Sequence, residues 1–249
     1  MRYFLELSYN GTGYHGWQNQ PNALSIQEVL EKAVSTLLNE EISITGAGRT
    51  DAGVHAKQMF AHFDTNIAFY PEDLKYKLNS FLPQDIAIHY IFKVKPEAHA
   101  RFDAVSRTYL YRVTLKKNVF NYNEAYYVKQ ALNVDKMNEA SKILFEYKDF
   151  QCFSKSNTDV KTYYCDIMKA EWFFKQDELH FVIQANRFLR NMVRAIVGTM
   201  INIGLGKLNL EDFHATIQSK SRSEAGFSVP AHGLYLTNIE YPKDIKIDE

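Results

Sequence analysis

The order in which strand and helix patterns follow one another constrains the fold of this chain more than any other feature of its sequence. Alternating apolar and polar residues predict strands, and apolar residues three and four positions apart predict helices. In the first part of the chain the order is β-α-β-β-α-β, and from Ser106 the same order recurs. The predicted strands are residues 2–9, 42–45, 59–63, 86–94, 105–115, 162–174, 179–185 and 233–241; the predicted helices begin at Ser25 and Pro71 or cover residues 135–145, 188–203 and 207–220.

This repeated order predicts an α+β fold built from two ferredoxin-like halves, although the halves share no residue-level similarity. Side by side, two such halves would form a broad, mostly antiparallel sheet with a central cleft. Residues 95–103 are the expected boundary, which divides the chain into an N-terminal half of residues 1–100 and a C-terminal half of residues 101–249. On the helix that begins at Pro71, we expect Leu74, Leu78 and Phe81 to face the core.

The composition of the chain bears on its binding partners and on its expected location in the cell. The 29 basic residues are balanced by 29 acidic ones, so a nucleic-acid partner would need a local concentration of positive charge. Cys152 and Cys165 form no C-x-x-C pair and could not build a zinc site alone. The chain begins as a strand pattern without the apolar region of a signal peptide, and its longest apolar run is interrupted by Arg194 and Asn202. A reducing cytoplasm is therefore the expected location.

A glycine-rich loop lies between the predicted strands at residues 42–45 and 59–63. Its three glycines allow sharp turns and close approach of a ligand, and it carries one guanidinium, Arg49, and one carboxylate, Asp51. The glycine spacing does not match G-x-G-x-x-G and there is no G-K-[ST], so the pattern argues against a nucleotide-phosphate loop. The loop could aim Asp51 into a cleft, or Asp51 could be an ordinary turn residue that bonds its own backbone.

A second glycine-rich loop, residues 10–21, contains Trp17. Because an exposed tryptophan is costly, Trp17 either takes part in function or closes the loop onto the core.

Positive charge is concentrated in two stretches. Residues 93–117 contain seven basic and two acidic residues, a local net charge of 7 − 2 = +5, which could hold a phosphate backbone or could be a solvated strand edge. Within this stretch Arg107, Tyr109 and Tyr111 are two residues apart and would share one face of a strand.

The second stretch contains Arg187, Arg190 and Arg194, whose spacings of three and four would align them on one side of a helix. Either solvent or an anionic partner would cover that side. Arg194 is next to the apolar run 195–197 and is the one we expect to be buried. A buried arginine needs a carboxylate, and Asp51 is the partner that we expect.

Six segments together resemble the TruA family, the tRNA pseudouridine synthases. Residues 48–55 match its signature G-R-T-D-A-G-V-H without departure, and residues 14–20 match Y-x-G-W-Q-x-Q. The remaining similarities are A-R-F at 100–102, [RK]-x-Y at 107–109, R-F-L with M-V-R-x-x-V-G at 187–198, and G-L-x-L at 233–236. The resemblance spans nearly the whole chain in order, whereas the loops at residues 116–133 and 151–161 carry none of these motifs.

The resemblance implies a function and a set of site residues. Asp51 would be catalytic, Arg194 would pair with it, Tyr109 would stack on the target base, Leu234 would line the pocket, and Arg49 would help to hold a flipped nucleotide. Arg101, Arg107, Arg187 and Arg190 would be candidates for phosphate contacts. The implied substrate is uridine at positions 38–40 in the anticodon arm of tRNA, the implied assembly is a homodimer, and no cofactor or metal is implied.

Two other functions remain open at this point. A non-catalytic RNA-binding module would stack bases on a similar fold but would have no use for the Asp51 carboxylate. A metal-dependent hydrolase could use Asp51, His55, His62 and Asp64, although their spacing matches no known metal motif.

Overall fold

The structure is a computed structural model that describes residues 1–156 and 160–247. It confirms an α+β fold whose strands pair mainly in antiparallel fashion. The strands are β1 Arg2–Tyr9, β2 Thr45–Gly46, β3 His55–Asp64, β4 Ile86–Lys93, β5 Ser106–Thr114, β6 Tyr126–Tyr127, β7 Ile167–Lys175, β8 Glu178–Ala185 and β9 Leu234–Glu240. The helices are α1 Ile26–Leu38, α2 Pro71–Phe81, α3 Val134–Ile143, α4 Met192–Gly204 and α5 Leu210–Ser219.

The chain forms two compact units. The first unit comprises residues 1–105 together with the C-terminal segment from Leu236, and the second unit comprises residues 106–235. In the first unit β1 lies between β3 and β4 and is antiparallel to both, while β2 pairs with β3. Helix α2 packs against β4 and α1. The predicted order β-α-β-β-α-β is confirmed for residues 1–93.

The C-terminal segment completes the core of the first unit. The Tyr241 ring packs edge-on against Phe4 and Phe60, with ring centroids 5.4 and 5.1 Å away. The Ile239 amide donates to Oε1 of Gln58, and Lys95 forms an ion pair with Asp244. These contacts join the last strand to the first half of the chain.

In the second unit β8 lies between β5 and β7 and is antiparallel to both, and the short β6 runs parallel to β5. Helix α3 packs on β7, α4 and α5. The order β5, α3, β7, β8, α4 agrees with the first five elements of the predicted recurrence, and α5 is the expected additional helix. The short β6 was not predicted, and the final strand β9 belongs from Leu236 onwards to the first unit. Among the described residues no helix is long and apolar enough to cross a membrane.

The predicted strand at residues 42–45 is largely wrong, because only Thr45 and Gly46 pair with β3. Side chains of α1 satisfy the backbone of the preceding residues instead. The Ile42 amide donates to Oγ of Ser35 and the Ile44 amide donates to Oε1 of Glu31, each at a distance of 2.9 Å. Ile42 and Ile44 are nevertheless buried. The alternation of apolar and polar residues here indicates which side chains are buried, but it does not indicate strand pairing.

The helix predicted for residues 188–203 begins later than expected, at Met192. Asn191 precedes it in the left-handed conformation, with a φ of 68°, which interrupts helical geometry. Arg187 and Arg190 therefore lie outside the helix, and the prediction that they share a helical face with Arg194 is wrong.

Two smaller expectations also fail. Phe81 is 50% exposed at the end of α2, where Leu74 and Leu78 are the buried residues. The strand predicted from residue 162 begins only at Ile167. Part of the unmatched stretch 151–161 lies outside the described residues.

Candidate active site

Asp51 lies in the connection between β2 and β3, residues 47–54, which we call the Asp51 loop. Thr45 and Gly46 pair with His62 and Ala61, so this loop closes a hairpin. The Val54 amide donates to the Asp51 carbonyl over 3.1 Å, and Gly53 has a φ of 78°. A turn of this kind needs a positive φ at that position, which explains the glycine. Asp51 is half-buried and Arg49 is exposed.

The second glycine-rich loop, residues 10–21, packs directly on the Asp51 loop, and we call it the Trp17 loop. The Trp17 amide donates to the Thr50 carbonyl over 3.2 Å, and the Gly53 amide donates to the Tyr14 carbonyl over 3.3 Å. Gly16 has a φ of 92°, and a Cβ added there would lie 2.3 Å from the Thr50 carbonyl oxygen. The two motifs therefore form one unit in which backbone holds backbone on both sides of Asp51.

Trp17 closes this loop onto the core, as one of the two sequence interpretations predicted. Its side chain is only 3% exposed. The indole lies against Gly46, where an added Cβ would be 2.3 Å from Cε2 of Trp17. The Tyr9 ring is a further neighbour, with a centroid distance of 6.2 Å. Trp17 thus packs at the start of the Asp51 loop and helps to fix its position.

Two side-chain hydrogen bonds attach the Asp51 loop to the rest of the first unit. The hydroxyls of Tyr9 and Thr50 are 2.9 Å apart, and both residues are buried. The Gly11 amide donates to Nδ1 of His55 over 3.1 Å. These bonds lie just before Asp51 and just after the loop, so its ends are fixed by partners more than forty positions away along the chain.

The metal-site alternative gains no support from the positions of its residues. Nδ1 of His55 accepts from Gly11, Nδ1 of His62 accepts from Ala100, and the Asp64 carboxylate binds Arg2. In residues 1–156 and 160–247, no group of three or more His, Cys, Asp or Glu side chains is arranged to hold a metal ion.

Tyr109 lies on β5 in the second unit. The register with β8 is regular from Arg107 to Thr114, so Arg107, Tyr109 and Tyr111 occupy alternate positions as predicted. The Tyr109 ring is half-buried and meets the Phe188 ring edge-on, with centroids 5.1 Å apart and planes at 89°. Tyr111 is fully buried, and its hydroxyl donates to the Pro230 carbonyl. Burial raises the pKa of the Tyr111 phenol.

Arg107 and Arg194 are both held by backbone carbonyls. An NH1 proton of Arg107 is donated to the Asn186 carbonyl over 2.8 Å. Arg194 lies in the first turn of α4, is half-buried, and donates from Nε to the Val229 carbonyl over 2.8 Å. The Val229 amide donates in turn to the Arg194 carbonyl. This reciprocal contact fixes the plane of the Arg194 guanidinium.

The remaining predicted residues occupy diverse environments. Arg187 is half-buried in the connection between β8 and α4, and Arg190 is exposed there. Leu234 is buried at the first position of β9. Arg101 is exposed in the first unit, and its guanidinium lies 5.6 Å from the centre of the Phe102 ring.

The basic stretch at residues 93–117 is less positive than its sequence suggests, because acidic residues elsewhere in the chain pair with part of it. Arg112 makes a bidentate contact with Glu178, with distances of 2.8 and 2.7 Å. Lys95 pairs with Asp244 and Lys116 with Asp177. The local sum of +5 therefore overstates the charge that this stretch presents.

Sequence reasoning missed several residues that shape the site. Tyr9 gave no signal, and Thr50 appeared only as a member of the G-R-T-D-A-G-V-H signature, because their contact joins distant positions through side chains of ordinary type. Phe188 belongs to the R-F-L motif, and that motif was the signal that could have identified it. Val229 acts through its backbone, which no residue pattern reports.

Comparison with known proteins agrees with these features. A family profile described as tRNA pseudouridine synthase matches residues 7–103 and 140–242. Proteins named tRNA pseudouridine synthase A are similar over nearly their full length. The protein from Bacteroides fragilis is 53% identical over 247 residues, which cover 98% of each chain. The protein from Porphyromonas gingivalis is 49% identical, and the alignment covers 98% of each chain. The protein from Thermoanaerobacter sp. is 40% identical, and the alignment covers 95% of this chain and 98% of the relative.

Proposed function

The chain belongs to the tRNA pseudouridine synthase family, whose members are isomerases, and we propose that it converts uridine to pseudouridine at positions 38–40 of the tRNA anticodon arm. One observation carries this proposal: the complete G-R-T-D-A-G-V-H sequence forms a hairpin loop whose backbone is bonded to the Trp17 loop on both sides of Asp51. A loop fixed in this way can present a single carboxylate in a constant orientation.

Asp51 is the catalytic group in this proposal. Isomerisation breaks the C–N glycosidic bond of uridine and forms a C–C bond between the same sugar and base, with no net oxidation and no energy source. The target base must leave the stacked helix to be reached. Asp51 then acts on the flipped nucleotide, and Arg49, exposed on the same loop, helps to hold that conformation.

Arg194 and Tyr109 complete the proposed site from the C-terminal half. Arg194 pairs with Asp51 and sets the carboxylate orientation; its contact with Val229 supports this role because the guanidinium plane is already fixed. Tyr109 stacks on the flipped base, an interaction worth about 1–3 kcal/mol. The edge-on contact with Phe188 holds the Tyr109 ring. Leu234 lines the same pocket.

The finer architecture forms part of the proposal. The two halves are ferredoxin-like, with the Asp51 loop in the N-terminal half and the Tyr109 strand and Arg194 helix in the C-terminal half, and the cleft between them receives the base. The β-α-β-β-α-β order of residues 1–93 supports the ferredoxin-like assignment of the first half. Arg101, Arg107, Arg187 and Arg190 contact phosphates, since such contacts position RNA without reading its sequence. The enzyme works in the cytoplasm as a homodimer, without cofactor or metal.

The decisive experiment is tritium release from tRNA labelled at C5 of uridine, run in EDTA. Isomerisation frees the C5 hydrogen, so the released label reports the reaction itself. We expect release by the wild-type chain and none by Asp51→Asn, while both bind tRNA. Asp73→Asn is the matched control, because Asp73 is an exposed carboxylate in the first turn of α2 and should leave activity unchanged.

Substrate position is tested by comparing tRNAs whose only uridine in the anticodon arm is at 38, 39 or 40. Absence of release from all of them would contradict the proposed substrate. Binding of tRNA without release by the wild-type chain would instead identify an RNA-binding module. Release that occurs only without EDTA would show that isomerisation needs a metal ion, contrary to the proposal.

A further inference from the structure

Residues 98–103, here called the Arg101 turn, present an unusual side chain to solvent. Phe102, in the first unit, is 74% exposed. The guanidinium of the neighbouring Arg101 lies over its ring. A neighbouring phenylalanine and arginine offer an aromatic face on which an unpaired base can stack and a positive charge that can contact its phosphate.

The exposed ring is the outer end of a row of three rings. His62 is buried, and its ring centroid lies 4.7 Å from that of His99. The His99 ring is in turn 4.2 Å from the Phe102 ring, with an interplanar angle of 36°. One face of Phe102 is therefore supported from within the protein, and the outer part of the ring remains exposed.

The backbone of the Arg101 turn donates to both histidines. The Ala100 amide donates to Nδ1 of His62 over 3.2 Å. The Arg101 and Phe102 amides donate to Nδ1 of His99 over 3.1 and 3.4 Å. An imidazole nitrogen accepts a hydrogen bond only when it carries no proton. This conformation of the turn therefore requires both rings in the neutral form, with the proton on Nε2.

Charged groups around the two rings act on the protonation of both histidines, some lowering the pKa and some raising it. Arg2 donates to the Ala98 carbonyl and pairs with Asp64, and Asp103 accepts from the His99 amide. Burial, with Arg2 and His99, lowers the pKa of His62 to about 4, while Asp64 and Asp103 oppose the shift. Burial and Arg2 also lower the pKa of His99, helped by Arg101 and opposed by Asp103.

We propose that Phe102 stacks on an unpaired base of the RNA substrate and that His62 and His99 are positioning residues, which hold the Arg101 turn through their unprotonated Nδ1 atoms. This inference rests on the proposed function, because it assigns a further RNA contact to the same enzyme. Phe102 supplies the aromatic face, and Arg101 contacts an adjacent phosphate. The three-ring row makes the contact rigid, so little side-chain freedom is lost on binding.

The first test measures tRNA affinity and steady-state kinetics for Phe102→Leu, which keeps an apolar side chain but removes the aromatic face. We expect KM and Kd for tRNA to rise about 10-fold, with kcat nearly unchanged, as is typical for loss of one base stack. Phe81→Leu is the matched control, because Phe81 is also exposed but lies at the end of α2. Equal affinities for Phe102→Leu and the wild-type chain would overturn the proposal.

The second test separates the acceptor role of His99 from simple packing. Asparagine places an acceptor oxygen at about the position of Nδ1 and cannot be protonated, whereas leucine has no acceptor. We expect His99→Leu to weaken tRNA binding to a similar extent as Phe102→Leu and His99→Asn to restore most of it. Circular dichroism of each variant verifies the fold. Equal binding by the Leu and Asn variants would contradict the acceptor role.

The pH dependence gives a sharper signature. Added positive charge by itself strengthens RNA binding, so an ordinary surface histidine raises affinity as pH falls. Here protonation removes the acceptors. Because the pKa values of both histidines are lowered, to about 4 for His62, we expect wild-type affinity to decline as the pH falls towards about 4, relative to a His62→Asn, His99→Asn double variant. Identical pH profiles for the two proteins would overturn the proposal. If the wild-type chain neither binds nor modifies tRNA, the proposed function itself fails, which is a distinguishable result.

Discussion

Gly16 lies against the carbonyl of Thr50 so closely that a single added carbon would overlap it, at a distance of 2.3 Å. The next atoms that such a carbon would meet are the Asp51 carbonyl carbon and the Ala52 nitrogen, at 3.1 and 3.3 Å. The neighbouring atoms are all backbone, which cannot turn aside as a flexible side chain can. Residue 16 thereby determines where the backbone of Asp51 lies.

Gly16→Ala should reduce kcat by at least about 10-fold and cost about 1–3 kcal/mol of unfolding free energy, because the φ of 92° is also unfavourable for alanine. Tritium release and denaturant unfolding measure the two effects. Gly13→Ala is the matched control from the same loop, since a Cβ there meets nothing within 4 Å. A fully active Gly16→Ala variant would show that the Asp51 loop does not depend on this contact.

Thr50→Val should lower activity while Thr50→Ser retains it. Valine removes the hydrogen bond between the Thr50 and Tyr9 hydroxyls without changing the shape of the side chain, at a cost of about 1 kcal/mol. Loss of this anchor next to Asp51 should affect kcat more than tRNA binding. A double-mutant cycle with Tyr9→Phe isolates the pair, and additive effects of the two substitutions would contradict the assignment.

Asn191→Ala should destabilise the start of α4, because alanine disfavours the φ of 68° by about 1–2 kcal/mol. It also removes the bond from the Asn191 amide to the Ser228 hydroxyl. Asn191→Gly keeps the conformation and loses only that bond. The difference in unfolding free energy between the two variants, measured in urea, therefore gives the cost of the left-handed backbone conformation for alanine relative to glycine. Equal stabilities would contradict the role given to the left-handed residue.

Glu178→Gln should destabilise the protein by about 1–3 kcal/mol, because Arg112 makes a bidentate, charge-assisted contact with this carboxylate. That contact lowers the pKa of Glu178 from 4.5 to about 2. Its stabilising contribution is therefore complete above about pH 4.5 and is lost as the pH falls towards about 2.

The check on Glu178 is the pH dependence of unfolding. The stability difference between wild type and Glu178→Gln should shrink as the pH is lowered through this range. Glu171→Gln is the control, because the Glu171–Lys169 pair is far more exposed and should contribute about 0–1 kcal/mol. A wild-type to Glu178→Gln difference that stays constant from pH 6 to pH 3 would contradict the assignment.

Much of the fold could be predicted from sequence because periodicity reports which faces are buried. The pattern of α1 is an example: Ser25 caps it, and Ile26, Leu30 and Val34 are buried as its spacing indicates. The same reasoning failed at Ile42 and Ile44, whose backbones bond to side chains of α1, because periodicity does not report hydrogen-bond partners.

In the candidate site, too, some features could be predicted from the sequence and others could not. The Asp51 loop was identified from its residues, and one of its glycines, Gly53, has the positive φ that its turn requires. The three arginines at positions 187, 190 and 194 were assigned to one helix, but a single left-handed residue, Asn191, separates the first two from it. A φ angle at one position is set by its surroundings, and spacing alone cannot supply it.

The return of the C-terminal segment to the first unit has a consequence for synthesis on the ribosome. The Tyr241 ring that packs against Phe4 and Phe60 is synthesised 241 − 60 = 181 residues after Phe60. A nascent chain that already contains the whole Asp51 loop therefore carries an apolar surface that it cannot yet cover. Premature termination before Leu236 should therefore leave fragments that proteases degrade more readily than chains that include Tyr241.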